Sequence, residues 1–380
     1  MVREAVIVEA LRLPTGKRNG IYTNTRPEYM LSSLLKGLVE KVKFDPKEIR
    51  DVIVGCVTQT AEQGNNIARI STLMAGLPIE AAAMTINRKC GSSQQAINQA
   101  AQGVIAGDYD VVIAAGIENM TRIPIGADRV EPPTELTELY EMISQGISAE
   151  RIADKWGISR VQMDELSLRS HQLASIAREK GDFRREILPY EFRIDGKKEI
   201  ISDDEGIRPS TTLEKLSSLR SAFTENGKVT AGNSSQISDG AAGVLIMSRE
   251  KAQDLGLKPR ARILAREVIG SDPTMMLDGP IPITRRILDK TGLTVGDIDV
   301  FECNEAFASV VLAWMKEFKP DLEKVNPRGG SIALGHPTGA SGARIMTTLL
   351  HELEDMDKQF GLQVMCCGGG MATATIIERL

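Results

Sequence analysis

Histidine is scarce in this chain. Only three occur in 380 residues, His171, His336 and His351, and Phe, Trp and Tyr together make up 4%. Cysteine is also sparse: five residues, an odd number, with no C-x-x-C or H-x-x-x-H spacing. That pattern argues against a disulfide framework and against a structural zinc site, and it fits a reducing, cytoplasmic setting. No apolar run approaches the roughly 18 residues of a membrane helix. The N-terminal Met1-Val2-Arg3-Glu4 leads straight into the apolar run Ala5–Val8, so a signal peptide is not expected. Glu378-Arg379-Leu380 is not a lipidation or peroxisomal signal. There is no excess of basic charge, since the formal net charge is −5, so nothing points to a nucleic-acid or membrane partner. Neither a P-loop nor G-x-G-x-x-G occurs, which removes the usual nucleotide-cofactor signatures.

What is present is ordinary globular material, 42% apolar and 26% charged, in a chain long enough for two or three domains. Short apolar runs at Val52–Val57, Met84–Ile86, Val111–Gly116, Gly243–Met247, Val300–Glu302 and Gln363–Cys366 read as buried strands. Between them, Ala96, Ile97, Ala100, Ala101, Val104 and Ile105 recur at helical spacing and stop at Gly107. Ala343, Met346, Leu349, Leu350 and Leu353 do the same. The alternation predicts an α/β fold with largely parallel sheets. From about Thr121 to Ile237 the chain is more charged and less β-rich, with helical patterns around Arg151–Trp156 and Val161–Lys180. It reads as a mostly helical insertion. On either side a strand–turn–helix–strand unit recurs, with a reactive residue at the same turn: Cys90 in one, His336 in the other. Duplication explains this, and chance likeness of two α/β units is the alternative.

Cys90 stands in Asn87-Arg88-Lys89-Cys90-Gly91-Ser92-Ser93, between a strand end and a helix start. Unpaired N–H groups and the positive end of the helix dipole there favour thiolate, which makes Cys90 a candidate nucleophile. A buried inert cysteine is the plainer alternative. His336 lies in a glycine-crowded loop, Gly335-His336-Pro337-Thr338-Gly339-Ala340-Ser341-Gly342. Histidine is the usual base for a thiol, and Pro337 suits the first turn of a helix. His171 and His351 lie on charged helical patterns and read as residues of solvated faces. Cys366 opens Cys366-Cys367-Gly368-Gly369-Gly370, which is either a second reactive thiol beside exposed N–H donors or a tight turn after a buried strand. Cys56 and Cys303 read as packing residues. Asn304, in Asn304-Glu305-Ala306-Phe307, is a helix cap or a donor to an oxyanion.

These segments together resemble the thiolase family of acyl-CoA acyltransferases, because four separate signatures occur in order: those around Cys90, Asn304, His336 and Cys366. The loop Thr230–Ala242 is similar to the family's pantetheine loop. The resemblance implies the thiolase fold, two similar halves forming a five-layered αβαβα core with an inserted loop domain. It places the N-terminal half at 1–119, completed by about 239–257, the insertion at 120–238, and the C-terminal half at 258–380. It implies Cys90 as the acylated nucleophile, His336 as its base, and Cys366 as the second acid/base. One oxyanion hole would come from Asn304, through a water, and His336; the other from the N–H groups of Cys90 and Gly368. Ser235 would touch pantetheine, and Arg208 would lie near the adenine end of CoA. CoA is then a co-substrate, and no separate cofactor or metal is implied.

The implied reaction is thiolysis of 3-ketoacyl-CoA. Acetoacetyl-CoA thiolase activity, in the condensing direction, is the runner-up, and an inactive CoA- or lipid-binding relative a third reading. Ketoacyl synthases share the fold, but the second cysteine argues against them. Thr121–Ala149 is shorter than the tetramerising hairpin of biosynthetic thiolases, so a homodimer is expected, with a dimer of dimers as the alternative. Ser144-Gln145-Gly146 stands where some members carry His-Met-Gly over the acyl pocket. Gln236–Asp239 and Ala308–Trp314 resemble degradative thiolases, including those acting on sterol side chains.

Overall fold

Every apolar run singled out above becomes a strand. The computed structural model describes residues 3–194 and 197–380. The first half runs β1 (Ala5–Arg12), β2 (Gly16–Lys17), α1 (Pro27–Val42), β3 (Asp51–Gly55), α2 (Ile67–Met74), β4 (Ala82–Ile86), α3 (Ser92–Ala106) and β5 (Val111–Asn119). The middle carries α4 (Thr134–Leu139), α5 (Gln145–Lys155), α6 (Arg160–Lys180), the antiparallel pair β6 (Tyr190–Ile194) and β7 (Lys197–Ile201), and α7 (Leu213–Ser217). The chain returns through β8 (Ser238–Ser248) and α8 (Arg249–Asp254). The second half runs β9 (Ala261–Gly270), α9 (Pro280–Thr291), β10 (Val300–Cys303), α10 (Ala308–Phe318), α11 (Ser331–Leu334), α12 (Ser341–Asp355), β11 (Phe360–Cys367) and β12 (Met371–Arg379).

Local chemistry sets the ends. Gly107 stops α3 in the left-handed conformation at φ 87°. Ser159 and Gln162 form a capping box at the start of α6, and Gly181 ends it.

Ten of the twelve strands form one sheet in the order β10-β11-β12-β9-β1-β8-β5-β3-β4, with β2 on β8. The expectation of a largely parallel sheet is corrected: of the described strand pairs only β3–β4, β3–β5 and β10–β11 pair parallel, because β8 and β12 run back against both of their long neighbours. The sheet's two parts repeat one plan. In the first, β3 pairs parallel with β4 and β5, and β8 lies antiparallel between β5 and β1. In the second, β10 pairs parallel with β11, and β12 lies antiparallel between β11 and β9. A single parallel bridge, Phe301 to Val325, stands where β4 stands in the first part. The parts meet where β1 pairs with β9 at Val6–Arg262 and Ile7–Ala261.

Period-two alternation divides the core into layers. Val52 and Val54 face α1, while Ile53 faces α3. The α3 and α12 helices are sandwiched between the two parts, packing on Val112 and Val244 from one and on Val300 and Ile377 from the other. The α9 and α10 helices cover the remaining face, around Phe301 and Trp314. The result is the five-layered αβαβα thiolase fold that the resemblance implied.

Candidate active site

Within each part, the parallel strands release their functional residues at their C-terminal ends, where α/β folds gather ligands. The turn after β4 is closed by Asn87: Nδ2 donates to the Val57 carbonyl at 2.9 Å and Oδ1 accepts the Lys89 N–H at 2.8 Å. Ser92 Oγ donates to the Lys89 carbonyl at 2.6 Å. Lys89 is held at φ 49°, a conformation few side-chain residues adopt. The turn delivers Cys90, 5% exposed, to the start of α3. Three N–H groups face its sulfur: the backbone of Gly368, its own backbone, and the side-chain amide of Gln145.

Burial nevertheless pushes the Cys90 thiol up. The three donors pull it down, and the Glu118 charge adds to the rise. The expected preference for thiolate at the helix start is therefore corrected. Desolvation outweighs it, and the resting group is a thiol.

The loop that carries His336 is held from three sides. Glu118, fully buried at the end of β5, accepts from Thr338 Oγ1 at 3.1 Å and Gly339 N at 2.9 Å. The same carboxylate accepts from Val57 N, Thr58 N and Gln63 Nε2 at 2.9, 3.1 and 2.8 Å. It thus ties the His336 loop to the segment after β3. Gly339 is glycine for space: a Cβ there would lie 2.6 Å from the Ile117 carbonyl and 2.7 Å from Cys56 Cα. The third anchor is the start of β8, where Ser238 Oγ accepts the His336 N–H at 3.2 Å. Beyond the loop, Ser93 Oγ accepts the Ala343 N–H at 2.9 Å, joining the starts of α3 and α12. Pro337 falls four residues before α12, and its carbonyl accepts the Ser341 N–H at 2.9 Å.

The imidazole tautomer follows from its partner. Nδ1 lies 2.6 Å from Ser341 Oγ, whose single hydroxyl hydrogen goes to the Pro337 carbonyl at 2.8 Å. Ser341 therefore accepts from Nδ1–H, and Nε2 keeps its lone pair. Nε2 is buried with no protein partner among the described residues. Burial, reinforced by Arg344, holds the ring down at about 3, so it is neutral at working pH.

Asn304 is not a helix cap, because α10 is capped at Phe307. Its backbone N–H donates to the Val364 carbonyl at 3.0 Å. Its Oδ1 accepts from Ser331 Oγ at 2.6 Å, and Ser331 in turn accepts from Arg344 Nη2 at 3.1 Å. That chain orients the amide and leaves Nδ2 buried and without a protein partner among the described residues. Next to it, Glu305 holds the following loop through Ser170, Asn326 and Ile332 N, at 2.7, 3.0 and 3.1 Å.

Cys366 and Cys367 end β11, both buried. Cys367 packs with Cys90, Ile345 and Met365, whereas Cys366 joins the cluster around α9 and α10. Burial raises the Cys366 thiol well above its ordinary range, and the neighbouring Cys90, Cys367 and Cys303 thiols raise it further. Cys367 is pushed up to about 12 by burial, against donors from Gly91 and Thr373. Cys56 and Cys303 are buried, as expected of packing residues.

His171 and His351 correct the sequence reading. Both are buried, at 4% and 1% exposure, and not on solvated faces. His171 Nδ1 accepts the Arg208 N–H at 3.2 Å, and burial holds the ring down at about 4. His351 is wedged between the Thr347 carbonyl and Arg260, 2.8 and 2.9 Å away. Arg208 is exposed and donates to Gln236 Oε1 at 3.2 Å. It borders a cleft of about 320 Å³ with Lys215, Ser234, Gln236, Leu219 and Ile332. Ser235, between two of these, is half-buried, and its N–H donates to the Ala306 carbonyl at 2.9 Å. The loop around it is thereby stitched to the segment after Asn304.

Sequence reasoning missed Glu118, Ser331, Ser341 and Arg344. Glu118 left a trace, a carboxylate inside an otherwise apolar strand run. The other three look like ordinary helix-start polar residues until the chain folds. The described residues thus supply two neutral thiols, Cys90 and Cys366, a neutral imidazole with Nε2 bare, and N–H donors near the Cys90 sulfur. Among the described residues no group of side chains could hold a metal ion.

Comparison with known proteins agrees with this assembly. The family model "Thiolase, N-terminal domain" matches residues 5–250, and "Thiolase, C-terminal domain" matches 257–379. The chain is 45% identical to a steroid 3-ketoacyl-CoA thiolase of Mycobacterium tuberculosis, covering 100% of this chain and 95% of that protein. It is 45% identical to a 3-ketoacyl-CoA thiolase of Idiomarina loihiensis, covering 100% of both. The crystal structure of the Bacillus anthracis acetyl-CoA acetyltransferase superposes with a TM-score of 0.92 at 38% identity, covering 100% of this chain and 99% of that one.

Proposed function

The chain belongs to the thiolase family and is an acyltransferase, and from that premise we propose that it is a 3-ketoacyl-CoA thiolase working through an acyl-Cys90 intermediate. The observation that carries the mechanism is the pair of buried, unpartnered polar atoms, His336 Nε2 and Asn304 Nδ2, in the loops that accompany the Cys90 nucleophile.

In the proposed cycle, His336 Nε2 takes the Cys90 proton and the thiolate attacks the 3-keto carbon. The imidazolium N–H so created, with Asn304, stabilises negative charge on the thioester oxygen. The Cα–Cβ bond breaks, its electron pair forms the acetyl-CoA enolate, and the Cys366 thiol protonates Cα. Free CoA then gives its proton to the Cys366 thiolate and attacks the acyl group, whose oxygen is held by the N–H groups of Cys90 and Gly368. Cys90 leaves as thiolate and recovers its proton from His336. No proton is gained or lost overall, and the kinetics are ping-pong.

CoA is a co-substrate in this reading, with its charged end at Arg208 and Lys215 and its pantetheine arm passing Ser235. The division into 1–119 with 239–257, 120–238 and 258–380 belongs to the same proposal, as does a homodimer in the cytoplasm. The β4 strand ends the sheet, and Leu73, Met74 and Ile79 are exposed beside it, which suits a second copy. All five cysteines are free, which suits a reducing compartment. No helix among the described residues is long and apolar enough to cross a membrane. Light scattering checks the dimer.

The name of the Bacillus anthracis neighbour keeps the acetoacetyl-CoA reading as the second one. A thiolysis panel running from acetoacetyl-CoA to long-chain and ring-bearing 3-ketoacyl-CoAs decides between them. Turnover of the longer members is expected, and exclusive use of acetoacetyl-CoA would sink the main reading.

A further inference from the structure

Gln145 is the first residue of α5, behind the Ser144 cap, whose Oγ accepts the Ile147 N–H at 3.4 Å. Two neighbours fix that turn. Ser148 Oγ donates to the Met275 carbonyl at 2.5 Å. The Phe223 ring fills the space where a side chain on Gly146 would go, and it meets Phe307 edge-on at 6.0 Å, three residues beyond Asn304. The half-buried Gln145 amide is thereby held over the nucleophile. Its Nε2 lies 2.9 Å from the point a Cβ on Gly368 would occupy, with Lys89 Cγ 3.7 Å from the same point, which puts the amide beside the turn that carries the Cys90 sulfur, where it pulls the thiol down.

We propose that Gln145 is a catalytic residue of the acyl-transfer reaction, the one donor that stays on the Cys90 sulfur when the two backbone donors turn to the acyl oxygen. The inference rests on Cys90 being the nucleophile. In the resting site Gly368 N–H, Cys90 N–H and the Gln145 amide all face the sulfur. Once Cys90 is acylated, the first two are needed by the thioester oxygen, where tetrahedral charge develops. The sulfur must then leave as thiolate during transfer to CoA. Gln145, being a flexible side chain outside that backbone pair, can keep donating to it. A thioether or hydrocarbon side chain at this position has no N–H to give.

The test uses the full-length enzyme and two variants, Gln145→Met, which keeps the length without the donor, and Gln145→Ala, which removes the donor and adds no bulk. Thiolate formation at Cys90 is read from ultraviolet absorbance against pH, as the difference from the same protein carrying Cys90→Ala. Alkylation by iodoacetamide is timed at pH 8 and mapped by peptide mass. A lost hydrogen bond to an ion is expected to raise the thiolate midpoint by about one pH unit. Tenfold less thiolate, partly offset by greater nucleophilicity, makes alkylation roughly threefold slower. Acyl transfer from acyl-Cys90 to CoA is expected to slow about tenfold with KM for CoA unchanged. An unmoved midpoint with labelling still on Cys90 overturns the role of Gln145 and leaves the nucleophile standing. Labelling that maps elsewhere in the wild-type protein overturns the assignment of Cys90 itself.

Discussion

Replacing Ser341 with alanine removes one buried oxygen that takes no step in the proposed cycle, yet the effect on turnover is expected to be large. In the native site Ser341 Oγ accepts from His336 Nδ1 at 2.6 Å and passes its own hydrogen to the Pro337 carbonyl at 2.8 Å. Without it, Nδ1–H is left buried and unpaired, at a cost of about 1–3 kcal/mol. The ring relieves that cost by moving its proton to Nε2, where the proposed cycle places the Cys90 sulfur as an acceptor, and that tautomer cannot accept the Cys90 proton. Since about 1.4 kcal/mol is a factor of ten, the productive tautomer falls by roughly five- to hundredfold. The pre-steady-state burst of acyl-enzyme is expected to slow by that factor, with KM for the acyl-CoA little changed. Nitrogen-15 NMR of the imidazole reports the cause directly, with Nδ1 protonated in the wild type and Nε2 protonated in the variant. Ser341→Thr keeps the hydroxyl and is expected to recover most of the rate. A burst within about twofold of wild type in Ser341→Ala, with the Nδ1 tautomer retained, would refute the reasoning.

Three further outcomes follow from the site. Burial raises the Cys90 thiol, so less thiolate is present at neutral pH than in a free cysteine; its alkylation is expected to climb about tenfold per pH unit from pH 7 to 8.5, and a plateau in that range contradicts the assignment. Cys366→Ala is expected to accept an acyl group on Cys90 yet fail in carbon–carbon bond formation, whereas Cys367→Ala, altering a packing thiol, retains it; normal condensation by the Cys366 variant, followed with acetyl-CoA, removes its acid/base role. Glu118→Gln turns an N–H pair toward the donors that the carboxylate now serves, and is expected to cost about 3–5 kcal/mol in urea unfolding together with most of the activity. A variant as stable and active as wild type shows that the His336 loop does not depend on this anchor.

Much of the fold was legible in the chain. The strand runs and the helices ending at Gly107 and around Leu353 formed where period and composition placed them, because those patterns report local geometry. The four motifs around Cys90, Asn304, His336 and Cys366 were legible for the same reason, since each is a short loop between elements. The partners of those residues were not. Ser341 orients His336 from five positions away, Arg344 reaches Asn304 through Ser331, and Glu118 reaches a loop more than two hundred positions later. His171 and His351 show the same limit from another side. A charged helical pattern predicts a solvated face, but the helices carrying these two histidines are covered by other parts of the chain, and both rings are buried.

The sequence by itself therefore determined the alternation of elements, the duplicated plan, the family and which groups are proposed to react, because all of these are written in local spacing. Only the tertiary structure decided their protonation. Helix-start chemistry pointed to a Cys90 thiolate, but desolvation scales with everything packed around the sulfur, and it holds both cysteines as thiols and His336 as a neutral base. The scarcity noted at the outset has the same resolution. Three histidines serve because folding places one of them, in one tautomer, with a bare nitrogen in the site.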